Sequence, residues 1–176
     1  RELKEVANGY LYYGLHKTDT CWVLREKAPN AVQVFVYGDF TYWEVKSNFE
    51  LHKNENGDWE IEIPLEYLKH GDLYKLWIVW QGGADERLPA YVQRVVQDDI
   101  TKIFSAQVWN PPKPYQWRYS SPNRPKHPII YEAHIGMSAQ EEKISTYWEF
   151  KENVLPRIKK LGYNTIQLMA IHEHPY

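Results

Sequence analysis

Between residues 109 and 128 the chain reads WNPPKPYQWRYSSPNRPKHP, with Pro111, Pro112, Pro114, Pro122, Pro125 and Pro128 inside twenty positions. Proline has no amide donor and its ring fixes φ, so neither a helix nor an interior strand can run through such a stretch. The chain is therefore cut in two before any fold is considered. The hydrophobic period differs on the two sides, close to two residues before the prolines and close to a helical turn after them. This divides the sequence into a β-rich part over 1–104, a proline-rich connector over 105–127, and a separate α/β part over 128–176.

The first part reads as short strands separated by turns. In TCWVLRE, Cys21, Val23 and Arg25 alternate with Trp22 and Leu24, and in AVQVFVYGDF, Val32, Val34 and Val36 share a face. DWEIEIP points Trp59, Ile61 and Ile63 one way and Asp58, Glu60 and Glu62 the other, which is a half-solvated antiparallel strand. Asn56-Gly57, lying between NFELHK and DWEIEIP, is a hairpin signal. LYKLWIVW sets Tyr74, Leu76, Ile78 and Trp80 against Leu73, Lys75, Trp77 and Val79, and Gly82-Gly83 then turns the chain. Strands this short at this spacing predict an all-β sandwich.

After the prolines, IIYEAHIG predicts a strand and STYWEFKENVLPRIKKLG a helix. Thr146 and Glu149 fit a capping box, and Tyr147, Phe150, Val154, Ile158 and Leu161 recur at helical spacing. Lys159 and Lys160 suit the last turn, and Gly162 suits the position just past it. Pro156 should kink the helix or mark a restart. The apolar run over 164–171 then predicts a second strand, parallel to the first and buried on both faces. Its polar tip, His172-Glu173-His174, falls where parallel α/β folds gather reactive groups. Two strands and one helix can neither close a barrel nor cover both faces of a sheet, so this part is expected to be the front end of a larger unit.

Composition excludes several classes of function. A net charge of -2, with no basic stripe, argues against nucleic-acid binding. No run approaches the roughly 20 apolar residues of a membrane span, and no secretory leader pattern opens the chain. Cys21 is the only cysteine, which excludes an intrachain disulfide and suits a reducing, cytoplasmic compartment. No nucleophile-elbow, phosphate-loop or dinucleotide pattern occurs.

Eight tryptophans and fourteen tyrosines suit either sugar faces or sandwich cores. Trp43, Lys75 and Trp77 are the candidate substrate-binding residues. Trp43 follows the turn GDFTYW, rings on adjacent strands can form a platform, and Lys75 can donate to a hydroxyl. Ordinary packing is the alternative for Trp43 and Trp77, and packing is the expectation for Trp80. The Glu60/Glu62 and Asp98/Asp99 pairs are expected to be solvated charges rather than a glycoside-cleaving pair, which needs two carboxyls facing each other across a cleft. Glu132 and His134 are expected to hold a neighbouring loop. His172 and His174 are expected to shape a pocket rim, with a shared metal, as in a metal-dependent barrel hydrolase, as the alternative.

The stretches WVLREKAPNAVQVFVYGDFTYW, NGDWEIEIP and LYKLWIVW resemble the N-terminal sandwich of glycogen and starch branching enzymes, a family 48 carbohydrate-binding domain. The stretch from Pro128 to Tyr176, with its QLMAI-x-EH run, resembles the first strand, helix and second strand of the α-amylase-class barrel, glycoside hydrolase family 13. The resemblance implies an immunoglobulin-like β-sandwich followed by the first β-α-β of a (β/α)8 TIM barrel, truncated. It implies an enzyme that cuts an α-1,4 glucan and moves the segment to a 6-hydroxyl, with no cofactor and no metal. The implied partners are an α-glucan (glycogen, amylose or starch) and the remainder of the barrel. The family's catalytic Asp, Glu and second Asp come from later strands, so no catalytic residue carries over and the chain alone is expected to be inactive. A non-catalytic glucan-binding module is the competing expectation.

Overall fold

In the computed structural model, which describes Leu3 and residues 7–171, the chain forms two compact units divided between Tyr115 and Gln116. The first is a sandwich of two antiparallel sheets. One carries β1 (Gly14–Lys17), β2 (Cys21–Glu26), β5 (Trp59–Pro64) and β4 (His52–Lys53), in that order. The other runs β3 (Ala31–Gly38), β6 (Leu73–Trp80), β9 (Phe104–Gln107) and β8 (Val95–Gln97), with β7 (Gly83–Arg87) also paired to β6. Trp22, Leu24, Ile61 and Ile63 of the first sheet meet Val34, Val36, Leu76 and Ile78 of the second in one continuous buried core. Burying each such aliphatic side chain contributes about 1.5–3 kcal/mol.

The alternation in β5 and along most of β6 holds, whereas β3 departs from it. Val32, expected on the core face, is 59% exposed, while Ala31 is buried. The register against β6 shifts between Ala31 and Gln33, and this one-residue bulge reverses the facing of everything before it. Trp80, expected in the core, is 37% exposed. It lies at the margin of the sheet, where its indole covers Gly83 so closely that a Cβ there would sit 3.1 Å from the ring. NFELHK is not one strand: Ser47–Phe49 form a 3-10 turn, Glu50 bridges Phe35 of one sheet, and only His52–Lys53 pair with β5 of the other. This segment changes sheets, and its short pairing on each side follows from that. The boundary expected at 104/105 falls inside β9, whose Ala106, with Val108 after it, is buried in the sandwich core. Asp58, expected to be solvated, is buried and accepts the Tyr13 hydroxyl.

The second unit holds β10 (Ile130–His134) and β11 (Thr165–Met169), paired in parallel as expected, with a helical segment α1 over 147–160 between them. The helix opens on the expected capping box: Thr146 Oγ1 accepts the Glu149 amide at 3.2 Å, and the Glu149 carboxylate accepts the Thr146 amide at 2.9 Å. A wide π-helical turn, Phe150–Val154, follows, and regular α-helix resumes as Leu155–Lys160 with Pro156 in its first turn. The restart expected at Pro156 takes this form. A proline offers no amide to the preceding turn and its ring crowds the carbonyl four residues back, so a regular ladder cannot run through it. Ala133, Ile135, Phe150 and Ile158 form the small core of this unit. Tyr147 and Leu161, expected on the apolar stripe, are exposed at the two ends of the helix. The full burial expected of the second strand is also absent: Ile166, Leu168 and Met169 are exposed, and the unit's core draws on β10, the residues just after it and the helix without taking a side chain from β11. Among the described residues no helix is long and apolar enough to cross a membrane.

Candidate functional site

The outer face of β3, β6 and β7 carries the polar and aromatic groups that the core pattern turns outward. Because Val34, Val36, Leu76 and Ile78 point into the sandwich, strand alternation sends Phe35, Tyr37, Lys75 and Trp77 the other way. Register then brings them together: Tyr37 stands opposite Lys75, Phe35 opposite Trp77, and Trp77 opposite Glu86. The Gly82 turn, at φ +100°, folds β7 back along β6 and delivers Glu86 to this face.

Three side chains form one network there. Lys75 is 5% exposed, and its ammonium donates to Glu86 Oε1 at 2.5 Å. The Tyr37 hydroxyl donates to the other carboxylate oxygen, Oε2, at 2.8 Å. The Lys75 hydrogen bond, aided by the Tyr37 hydroxyl and opposed by partial burial, holds the Glu86 carboxyl below its ordinary range. Burial first, and then the Glu86 carboxylate, push the Tyr37 hydroxyl well up. The face thus presents a neutral phenol and a fixed carboxylate, with a lysine lying beneath them.

Trp43 stands beside this network on the loop that leaves β3. Gly38 is required at the start of the loop, because a Cβ there would lie 2.1 Å from the Leu73 carbonyl oxygen. A 3-10 turn, Asp39–Thr41, follows, with Thr41 buried and its hydroxyl donating to the Gly38 carbonyl at 3.1 Å. Tyr42 and Trp43 both take left-handed backbone, φ 58° and 59°. Such a conformation costs about 1–3 kcal/mol in a bulky residue and persists only where the surroundings over-determine it. Asp39 does so: one oxygen accepts the Trp43 indole N–H at 2.9 Å and the other accepts the Leu73 amide at 2.7 Å. The Trp43 ring packs edge-on against Tyr37, with centroids 5.7 Å apart, and remains 40% exposed.

The structure therefore places Trp43 and Lys75 around Tyr37 and Glu86, with Trp77 half-buried on the same strand face. Lys75 does not stand free to meet a ligand, as its sequence position suggested, but is sunk behind Glu86. Sequence reasoning missed Asp39, Tyr37 and Glu86. Tyr37 was findable from the alternation that buries Val36, whereas Glu86 depends on the length of the turn before it. None of the other described candidates takes part in this network. Glu60 pairs with Arg25, and Asp98 accepts the Ile100 and Thr101 amides in a turn that holds its carboxyl below the ordinary range. His134 Nδ1 accepts the Met137 amide at 3.3 Å, a loop-holding role. His172 and His174 lie outside the described residues, among which no cluster of three or more metal-binding side chains occurs.

Residues 12–92 match the family Carbohydrate-binding module 48 (Isoamylase N-terminal domain). Over 99% of its length the chain is 43% identical to a 1,4-alpha-glucan-branching enzyme of Aspergillus oryzae, and 40% identical to those of Dictyostelium discoideum and Solanum tuberosum. It covers 26%, 26% and 21% of those proteins, so it spans about a quarter of their length. Among solved structures, a pullulanase from Bacillus acidopullulyticus superposes with a TM-score of 0.71 at 18% identity, covering 93% of this chain and 22% of that one. A type I pullulanase from Bacillus subtilis complexed with maltose gives 0.66 at 20%, covering 93% and 25%. These two likenesses bear on the fold alone. The span 12–92 belongs to the carbohydrate-binding module 48 family, in a chain related along nearly all of its length to the 1,4-alpha-glucan-branching enzymes.

Proposed function

We propose that the chain is the N-terminal portion of a 1,4-alpha-glucan branching enzyme and that its immunoglobulin-like sandwich holds an α-glucan on the Trp43 face. The parent reaction cleaves an α-1,4 linkage and transfers the segment to a 6-hydroxyl by the retaining, two-carboxylate route, with an acceptor sugar in place of water. The parallel β10–α1–β11 unit is what would open a (β/α)8 barrel, whose catalytic acids this reading assigns to later strands. In this chain the work is binding and orientation. A cytoplasmic setting with Cys21 reduced belongs to the same proposal, although similar proteins of Pisum sativum and Arabidopsis thaliana are named chloroplastic/amyloplastic.

One observation carries the binding role: a bulky, exposed Trp43 held in left-handed backbone by Asp39, beside a carboxylate network. A folded chain that holds an exposed indole at a cost in strain gains nothing from it in the core, whereas a pyranose C–H face gains a flat apolar partner. Affinity electrophoresis through glycogen or amylose tests this. The chain is expected to be retarded, and Trp43→Ala is expected to abolish the retardation without lowering the melting temperature by more than a few degrees. Equal retardation of the two proteins, or none for either, overturns the assignment of this face.

A further inference from the structure

We infer that Glu86, rather than Lys75, is the polar group that reads the sugar at this face, accepting hydrogen bonds from neighbouring hydroxyls of a glucose unit stacked on Trp43. The inference rests on the glucan-binding reading and extends it to one residue. Lys75 has only 6% of its side chain exposed and already donates to Glu86, so its ammonium stands behind the carboxylate. Glu86 is 45% exposed, and its two oxygens are fixed separately, one by Lys75 and one by the Tyr37 hydroxyl. An ionised carboxylate has about four lone-pair sites, so roughly two stay open toward solvent. A carboxylate held by two donors from below offers two acceptors at a fixed spacing above. A vicinal diol offers two O–H donors, and bonds of this charge-assisted kind are the strong ones. The Trp43 ring lies next to the same phenol that fixes Glu86, so stacking and acceptance are joined through Tyr37. The ligand chemistry this selects is an α-glucan with free 2- and 3-hydroxyls. The depressed Glu86 carboxyl keeps the acceptor ionised through mildly acidic conditions.

The test measures binding of β-cyclodextrin, a cyclic α-1,4 glucan, to the whole chain by calorimetry, beside a cyclodextrin methylated on its 2-hydroxyls. Glu86→Gln is expected to weaken β-cyclodextrin binding by about ten- to hundredfold, the loss of hydrogen bonds to a charged acceptor. The methylated ring is expected to bind the unaltered chain more weakly than the free one and to lose little further in Glu86→Gln. Because the glutamine variant leaves Lys75 buried without a counter-charge and can fail to fold, Glu86→Asp runs beside it. It keeps the charge, withdraws the carboxylate by one methylene and is expected to lose affinity as well, with its fold checked by circular dichroism. If folded Glu86 variants bind within twofold of the unaltered chain while Trp43→Ala does not bind, the role of Glu86 is wrong and the glucan-binding face stands. If Trp43→Ala also binds normally, the reading beneath it fails too.

Discussion

At the scale of single residues, this protein places its least comfortable side chain on its surface. Tyr42 and Trp43 hold left-handed backbone, Gly38 admits no Cβ, and Asp39 ties the indole to the start of β6. The core residues make the opposite case: their positions are dictated by burial alone. Leu76 is fully buried between the sheets, and truncation leaves a cavity that neighbouring strands cannot close. Leu76→Ala is therefore expected to destabilise the sandwich by about 2–5 kcal/mol in urea unfolding, and a loss under 1 kcal/mol would show that the two sheets collapse onto the gap. GDFTYW marked Trp43 as unusual because a glycine and an aromatic stand around a tight turn. Nothing local marked Glu86, because its place depends on which residue of β6 the hairpin brings it to.

At the scale of elements, the helix α1 shows how a local signal and a local fault coexist. The capping box at Thr146 and Glu149 forms as the sequence requires, and Pro156 then forces a π-helical turn before the helix resumes. Thr146→Ala should cost about 1 kcal/mol of this unit's stability, read as a lower midpoint of its helical circular-dichroism signal. The pH dependence follows from Glu149, whose carboxyl is held down at about 2 by the Lys143 ammonium first and the Thr146 amide second. Its folded value lies below its ordinary 4.5, so the helix gains stability above that ordinary value and loses it as pH falls through about 2. The unaltered chain and Glu149→Gln should differ near neutral pH and converge in acid, measured as helical melting midpoints. A constant difference across that range would assign the effect to shape rather than charge. Periodicity alone assigns Tyr147 and Leu161 to the core, since it gives a face without saying how far along the helix the sheet extends, and both are exposed at the helix ends.

At the scale of the whole molecule, the two units differ in how completely they bury their apolar surface. The sandwich closes a core of side chains from both sheets, whereas the second unit gathers four buried hydrophobic residues among those described and leaves Ile130, Ile166, Leu168 and Met169 exposed. Exposed apolar strand surface of this kind opens readily and attracts partners. Limited proteolysis is expected to remove residues 128–171 first and leave a fragment that retains Val108, since β9 and Val108 belong to the sandwich. Mass spectrometry of the digest reads this directly. Equal survival of both units would mean that the second is protected beyond what its own core supplies.

The sequence by itself determined what depends on neighbours along the chain. It determined the division by prolines, the alternation of β5 and β6, the Asn56-Gly57 hairpin, the capping box, and the parallel β–α–β order. These follow from backbone chemistry that acts within a few residues. Only the tertiary structure decided which strands adjoin, and the Lys75, Tyr37 and Glu86 network of the candidate site depends on that. The bulge at Ala31 turned Val32 outward, β9 claimed residues from the connector, and the register of β7 on β6 set Glu86 over a lysine that strand pattern alone leaves exposed. Pairing partners far apart in sequence are chosen by the fit of whole faces, and a one-residue shift reverses every side chain.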